Sequence, residues 1–279
     1  MKFAFKSIVV AAAFVAAGVA NAASVSVVAD GTTVQNGFTV TALGELEFSS
    51  LLMGALNTPT PPVAVSPYGG ATLTEGTRTE TDEFGGTTET PYHIVGSKVT
   101  GLTYDDVSGK VTNVISIGGA AQSMAKNTAI GASGGQAKVG ELDVRFQADG
   151  SANIFGQITG QRLGAATGVN YSGLLFTVSA ANVTGATTFQ NAAGVYETTL
   201  NNLALSDAGF NALVQSFGLS STGLGFTALK QATANFGNLN STITVVSAGV
   251  TPAVPEPSTY ALMGVGLIGL GLVARRRAK

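Results

Sequence analysis

Two carboxylates come closest to a catalytic spacing. Glu141 and Asp143 lie two apart in Glu141-Leu-Asp-Val-Arg-Phe, which alternates polar and apolar residues as a half-buried strand does. On a strand they would share one side about 6–7 Å apart, near the separation a retaining glycosidase uses. Arg145 continues the row, so a solvated face bearing an ion pair is the competing reading. His93, in Pro91-Tyr92-His93-Ile94, is the single histidine, and a Ser-His-acid triad would have to use it. No Gly-x-Ser-x-Gly elbow lies near it, and an incidental strand histidine is the alternative. Glu75, Glu80, Asp82, Glu83 and Glu89, or the pair Asp105-Asp106, offer hard oxygen ligands for calcium, but no Asp-x-Asp-x-Asp-Gly loop spaces them. Tyr68, Tyr92 and Tyr104 are candidates for an aromatic platform under a sugar. With no cysteine and one histidine, thiolate catalysis, disulfides and cysteine or multi-histidine metal centres are excluded. The expectation is a non-enzyme with no catalytic residue, metal site or cofactor.

The elements that would position these residues read as β structure. Residues 23–254 hold 32 threonines and 32 glycines, a composition of strands joined by tight turns. Period-two alternation marks Val25–Ala29, Phe38–Ala42, Leu142–Phe146 and Thr242–Val245, and more weakly Val183–Phe189. Two antiparallel hairpins are predicted: Leu102–Asp105 with Lys110–Ile117, and Glu141–Gln147 with Asn153–Thr159 around Asp149-Gly150. Phe210, Leu213, Val214 and Phe217 have helical spacing after Ser206 or Asp207, and Gly218 stops the run. A second helix is expected from Phe226 to Phe236, ended by Gly237, and both helices read as core staples. Glu45–Asn57 is ambiguous between strand and helix. Residues 57–91, rich in proline, threonine and acid, read as a mobile, irregular insertion. The fold class is therefore mainly β: an antiparallel β-sandwich-like domain with a short helical pair near its C-terminal end.

Both ends carry sorting patterns. Residues 1–22 run from Lys2 and Lys6 through an apolar stretch to Ala20-Asn21-Ala22, with small residues preceding a cut before Ala23. This is the order of a secretory signal peptide read by signal peptidase. At the other end Pro255-Glu256-Pro257 precedes an apolar helix at 259–274 and a basic tail, Arg275, Arg276, Arg277 and Lys279. The uncharged run Ala261–Ala274 reaches only ~21 Å as a helix, against a hydrocarbon core of ~30 Å. Flanking cations hold such a short span by snorkelling, on the cytoplasmic side by the positive-inside rule. The two prolines keep the preceding peptide extended. An ordinary tail anchor is the alternative.

Those C-terminal elements, in that order, resemble the PEP-CTERM sorting domain of Gram-negative bacteria, over about 25 of 279 residues. The resemblance implies recognition of Pro255, Glu256 and Pro257 by exosortase, a membrane-embedded transpeptidase-like enzyme. It also implies export through the inner membrane, transient anchoring there by a C-terminal transmembrane helix, and display at the cell surface or outside the cell.

Three segments follow: signal peptide 1–22, exported domain 23–254 and sorting segment 255–279. The exported domain has eight Lys/Arg against fifteen Asp/Glu, a net charge of -7, whereas the whole chain stands at -2. So acidic a domain lacks a nucleic-acid footprint. The expected role is structural or adhesive in the extracellular matrix, on extracellular polysaccharide, as the resemblance implies. A lectin-like carbohydrate-binding module is the alternative, followed by a polysaccharide hydrolase using Glu141 and Asp143.

Overall fold

Alternating apolar residues and turn-forming glycines produce a mainly β fold. The computed structural model describes residues 23–35, 37–57, 59–81, 85–189 and 192–248. The expected signal peptide and the sorting segment lie outside the described residues. The strands are β1 (Ser24–Val28), β2 (Phe38–Phe48), β3 (Ala64–Tyr68), β4 (Thr72–Thr81), β5 (Thr87–Asp105), β6 (Val111–Ile117) and β7 (Gly119–Met124). There follow β8 (Gly135–Phe146), β9 (Ala152–Arg162), β10 (Val169–Val178), β11 (Val183–Gly185), β12 (Gly194–Leu200), β13 (Ala204–Leu205) and β14 (Gly237–Ser247). Three helices interrupt them: α1 (Ser50–Asn57), α2 (Asp207–Phe217) and α3 (Leu224–Ala232).

These strands belong to one hydrogen-bonded antiparallel sheet whose main path runs β11-β12-β14-β2-β5-β6-β8-β9-β10-β13, with β1 and β4 added on β5, β7 on β8 and β3 on β7. Both expected hairpins are present as β5–β6 and β8–β9, and the second closes with Gln147 N–H donating to Ser151 O at 2.8 Å. The long strand β5 changes partners along its length. Its first half lies between β2 and β4, its second between β1 and β6, with a register shift between Val99 and Gly101 where the exchange occurs. Such a bulge adds local bend and twist. The sheet thereby curls, so that Leu200, Leu239 and Ile243 from one end of the order line the same narrow apolar cavity as Val139, Leu142 and Val144 of β8.

The helices cover this sheet. Ser206 N-caps α2 by accepting the Gly209 N–H at 3.1 Å, and Gly218 closes it in the left-handed conformation, φ 58°. Phe210, Leu213 and Phe217 are buried, with α2 packed on β9 and β10. This stripe is core, as expected. The second helix starts at Leu224 and ends at Ala232, because Phe236 is drawn into the core against Phe176 (ring centroids 5.0 Å apart) and Phe48 (6.0 Å). The ambiguous 45–57 segment is divided between the end of β2 and α1.

The expected irregular insertion at 57–91 is corrected. It contains β3 and β4, and β4 pairs with β5 from Thr72↔Gly96 to Thr81↔Thr87. The segment has too little apolar alternation to announce a strand. Backbone pairing comes from neighbouring strands, β7 for β3 and β5 for one edge of β4, and threonine suits an exposed pleat.

Candidate functional site

The two carboxylates of β8 are separated by a kink. Between Gly140 and Asp143 the register with β9 shifts, so Glu141 and Leu142 together face the single residue Gly156, and the i, i+2 relation fails. Glu141 has φ 54°, in the left-handed region. Its N–H donates to Gly118 O, and its Oε1 accepts the Gly118 N–H, each at 3.2 Å. Gly118 (φ 79°) is itself the corner between β6 and β7, so Glu141 clamps one bend against another. Asp143 is engaged elsewhere. Its Oδ2 accepts from Arg145 Nε (2.9 Å) and Nη2 (2.6 Å), and its Oδ1 from Asn113 Nδ2. These hydrogen bonds and the carboxylate charge raise the Arg145 pKa. The ion pair anticipated in the row is formed, and the two carboxylates have different partners.

His93 faces Glu75 across β4–β5, with Nε2 3.0 Å from Oε1, and its ring packs edge-on against Phe48 at 6.2 Å. Of the candidate calcium ligands, Asp82 and Glu83 lie outside the described residues, while Glu89, Asp105 and Asp106 have local partners. Glu89 accepts from Thr79 Oγ1 at 2.7 Å, and Asp105 Oδ1 accepts the N–H groups of Val107 and Ser108 and the Ser108 hydroxyl. Asp106 Oδ1 accepts the Ala23 N–H at 2.8 Å, and its own N–H donates to Ala23 O at 3.0 Å. Among the described residues no three such groups gather to hold a metal ion.

The three tyrosines part company. Tyr104 is buried against Phe189 at 5.0 Å, which corrects its place in a surface platform: an aromatic ring on an inward-facing strand position is recruited by the core. Tyr68 is half-buried, with Lys138 Nζ 5.7 Å from its ring centroid; burial, then the charge of Glu141, push its phenol pKa up. Tyr92 alone lines an open polar cleft of about 470 Å³.

That cleft was invisible in the sequence. The end of β2 contributes Glu47, β4 contributes Arg78, the segments flanking β11 and β12 contribute Asn182, Asn201 and Asn202, and the approach to and start of β14 contribute Asn235 and Asn238. Arg78 Nη2 donates to Glu47 Oε1, and its guanidinium carbon lies 4.9 Å from the Tyr92 ring centroid. Asn202 holds φ 53°, its N–H donating to Asn238 Oδ1 at 3.1 Å and its Nδ2 to Asn182 Oδ1 at 3.4 Å. Asn235 Oδ1 is buried and has no hydrogen-bond partner. The adjacent pair Asn201-Asn202 at a strand end was the one available signal, and it reads equally as a turn.

Of the predicted sorting residues, Ala23 begins the described chain, while Ala20, Ala22, Pro255, Glu256, Pro257, Arg275, Arg276, Arg277 and Lys279 lie outside the described residues. Among the described residues no helix is long and apolar enough to cross a membrane. The terminal segment is decided by comparison with known families: the model described as the PEP-CTERM protein-sorting motif matches residues 253–277. The chain carries a PEP-CTERM sorting motif. The motif marks an exported, exosortase-directed protein, and its match covers the Pro-Glu-Pro, the apolar run and the arginines already singled out. No curated protein and no solved structure matches the chain.

Proposed function

We propose that this PEP-CTERM protein is a non-catalytic surface or matrix component with a structural or adhesive role in extracellular polysaccharide, built on a sandwich-like β domain. The observation that carries the reading is the sorting motif at 253–277. Signal peptidase cuts before Ala23, and the C-terminal helix holds the chain in the inner membrane until exosortase acts at Pro255-Glu256-Pro257. Support for the N-terminal cut comes from the Ala23 N–H, 2.8 Å from Asp106 Oδ1, since cleavage there places the new ammonium against a carboxylate. Support for a non-catalytic role comes from Glu141 and Asp143, each engaged by its own structural partners.

Mass spectrometry of protein recovered from the cell surface tests the reading. The expected mature form begins at Ala23 and lacks Arg275–Lys279, and Glu256→Gln leaves uncut precursor in the membrane fraction. Surface protein that retains Arg275–Lys279 overturns it.

A further inference from the structure

We infer that the asparagine-lined cleft is a binding site for a neutral polysaccharide chain, an inference that rests on the matrix reading above and gives it a contact surface. Its chemistry is that of hydroxyl recognition. A primary amide presents donors and acceptors side by side, as a vicinal diol does, and five of them converge from segments distant in sequence. Their mutual bonds, Asn202 to Asn182 and to Asn238, and Asn201 Nδ2 to Asn182 O at 3.4 Å, use a minority of the amide positions. Asn235 Oδ1, buried at this wall, has no donor from the protein, and an unsatisfied buried acceptor is costly unless something supplies one. Tyr92 adds an aromatic ring to this mainly polar lining, with the Arg78 guanidinium stacked on it, and such a ring offers contact to sugar C–H groups beside the amides.

The electrostatics select a neutral ligand over an anionic one. Among the described residues Arg78 is the only cation lining the cleft, and Glu47 neutralises it. The N-terminus of α1 opens nearby, but Ser49 Oγ already accepts the Leu52 N–H at 3.1 Å. A second, larger cleft holds Lys126 and Arg162, but it lies at the carbonyl end of α2, whose negative dipole itself favours those charges. The domain net charge of -7 further opposes a polyanion.

Affinity electrophoresis of the full chain in detergent, through gels containing dextran, mannan, galactan or alginate, is the test. The expected result is retardation by at least one neutral polymer and none by alginate. Asn202→Gly keeps the left-handed backbone and its N–H to Asn238 while deleting one amide, and should weaken retardation about ten-fold. Arg78→Gln, which removes the guanidinium stacked on Tyr92, should weaken it as well, and an unchanged circular dichroism spectrum and Tm establish that both variants are folded. Retardation by alginate alone, by no polymer, or by a neutral polymer as strongly in both variants as in wild type overturns the site. These outcomes leave the C-terminal mass of the surface protein untouched, so the cleft and the sorting reading fail separately.

Discussion

At the scale of single residues, titration is where position changes chemistry. Tyr68 keeps its proton longer than an exposed phenol because it is half-buried and, secondarily, because Glu141 lies beside it. The unfolded phenol begins to ionise at about pH 10 while the folded one resists, so this contribution is intact below pH ~10 and turns against folding above it. Ultraviolet titration should show Tyr68 ionising late, and Glu141→Gln should bring it only part of the way back, since burial is the larger cause. A titration identical in wild type and Glu141→Gln would remove the charge from the account. The turn aspartates behave oppositely. Hydrogen bonds from the Thr33 hydroxyl to Asp30, from the Ser108 N–H to Asp105 and from the Ser151 hydroxyl to Asp149 hold these carboxyls below the usual range. Depressed folded values mean stability that is present above the unfolded pKa of ~3.9 and lost as the pH falls through the folded values. Thermal melts should therefore show Tm declining below about pH 4, and Asp105→Asn should blunt that decline.

At the scale of elements, α2 shows how a local pattern and its setting combine. Ser206 both accepts the Gly209 N–H and donates to Leu174 O at 2.6 Å, so it caps the helix and ties it to β10. Ser206→Ala should cost about 1–2 kcal/mol in urea unfolding, the upper part of the N-cap range, whereas a merely capping serine would cost less. Phe176 of β10, fully buried with the Phe236 ring 5.0 Å away, should cost ~3–5 kcal/mol as Phe176→Ala, because removing a ring packed against another ring leaves a cavity that cannot fully collapse. The cap, the i, i+3, i+4, i+7 stripe and the stop at Gly218 were all legible, since each depends on residues within one helix. β4 was not. Its strand pairing comes from β5, and a polar strand with one neighbour has no buried face to impose alternation.

At the scale of the whole molecule, the sheet joins distant parts of the chain. β2 pairs along eleven residues with β14, from Phe38↔Ser247 to Phe48↔Gly237. β14 is therefore an interior strand with β12 on its other side, and it joins β12 and β11 to the rest of the sheet through β2. Truncation after Phe236 should give a chain without cooperative unfolding, readily cut by protease. Truncation after Ala248 should preserve the melting transition, because the sorting segment follows the last strand. Loss of the transition in the longer truncation would place the C-terminal segment within the fold. The arrangement fits the proposed order of events: the domain completes its sheet only a few residues before the motif at 253–277 begins.

The sequence alone determined the sorting motif, the hairpins at Asp106–Gly109 and Ala148–Ser151, the β-rich class and the first C-terminal helix. All depend on patterns contained within a few consecutive residues. Tertiary structure decided the rest. The bulge in β8 separates Glu141 from Asp143, and the interior claims Tyr104. The curled sheet gathers Asn182, Asn201, Asn202, Asn235 and Asn238 around Tyr92. A constellation assembled from strand ends far apart in the chain leaves no local period, because strand pairing, not sequence distance, makes its members neighbours.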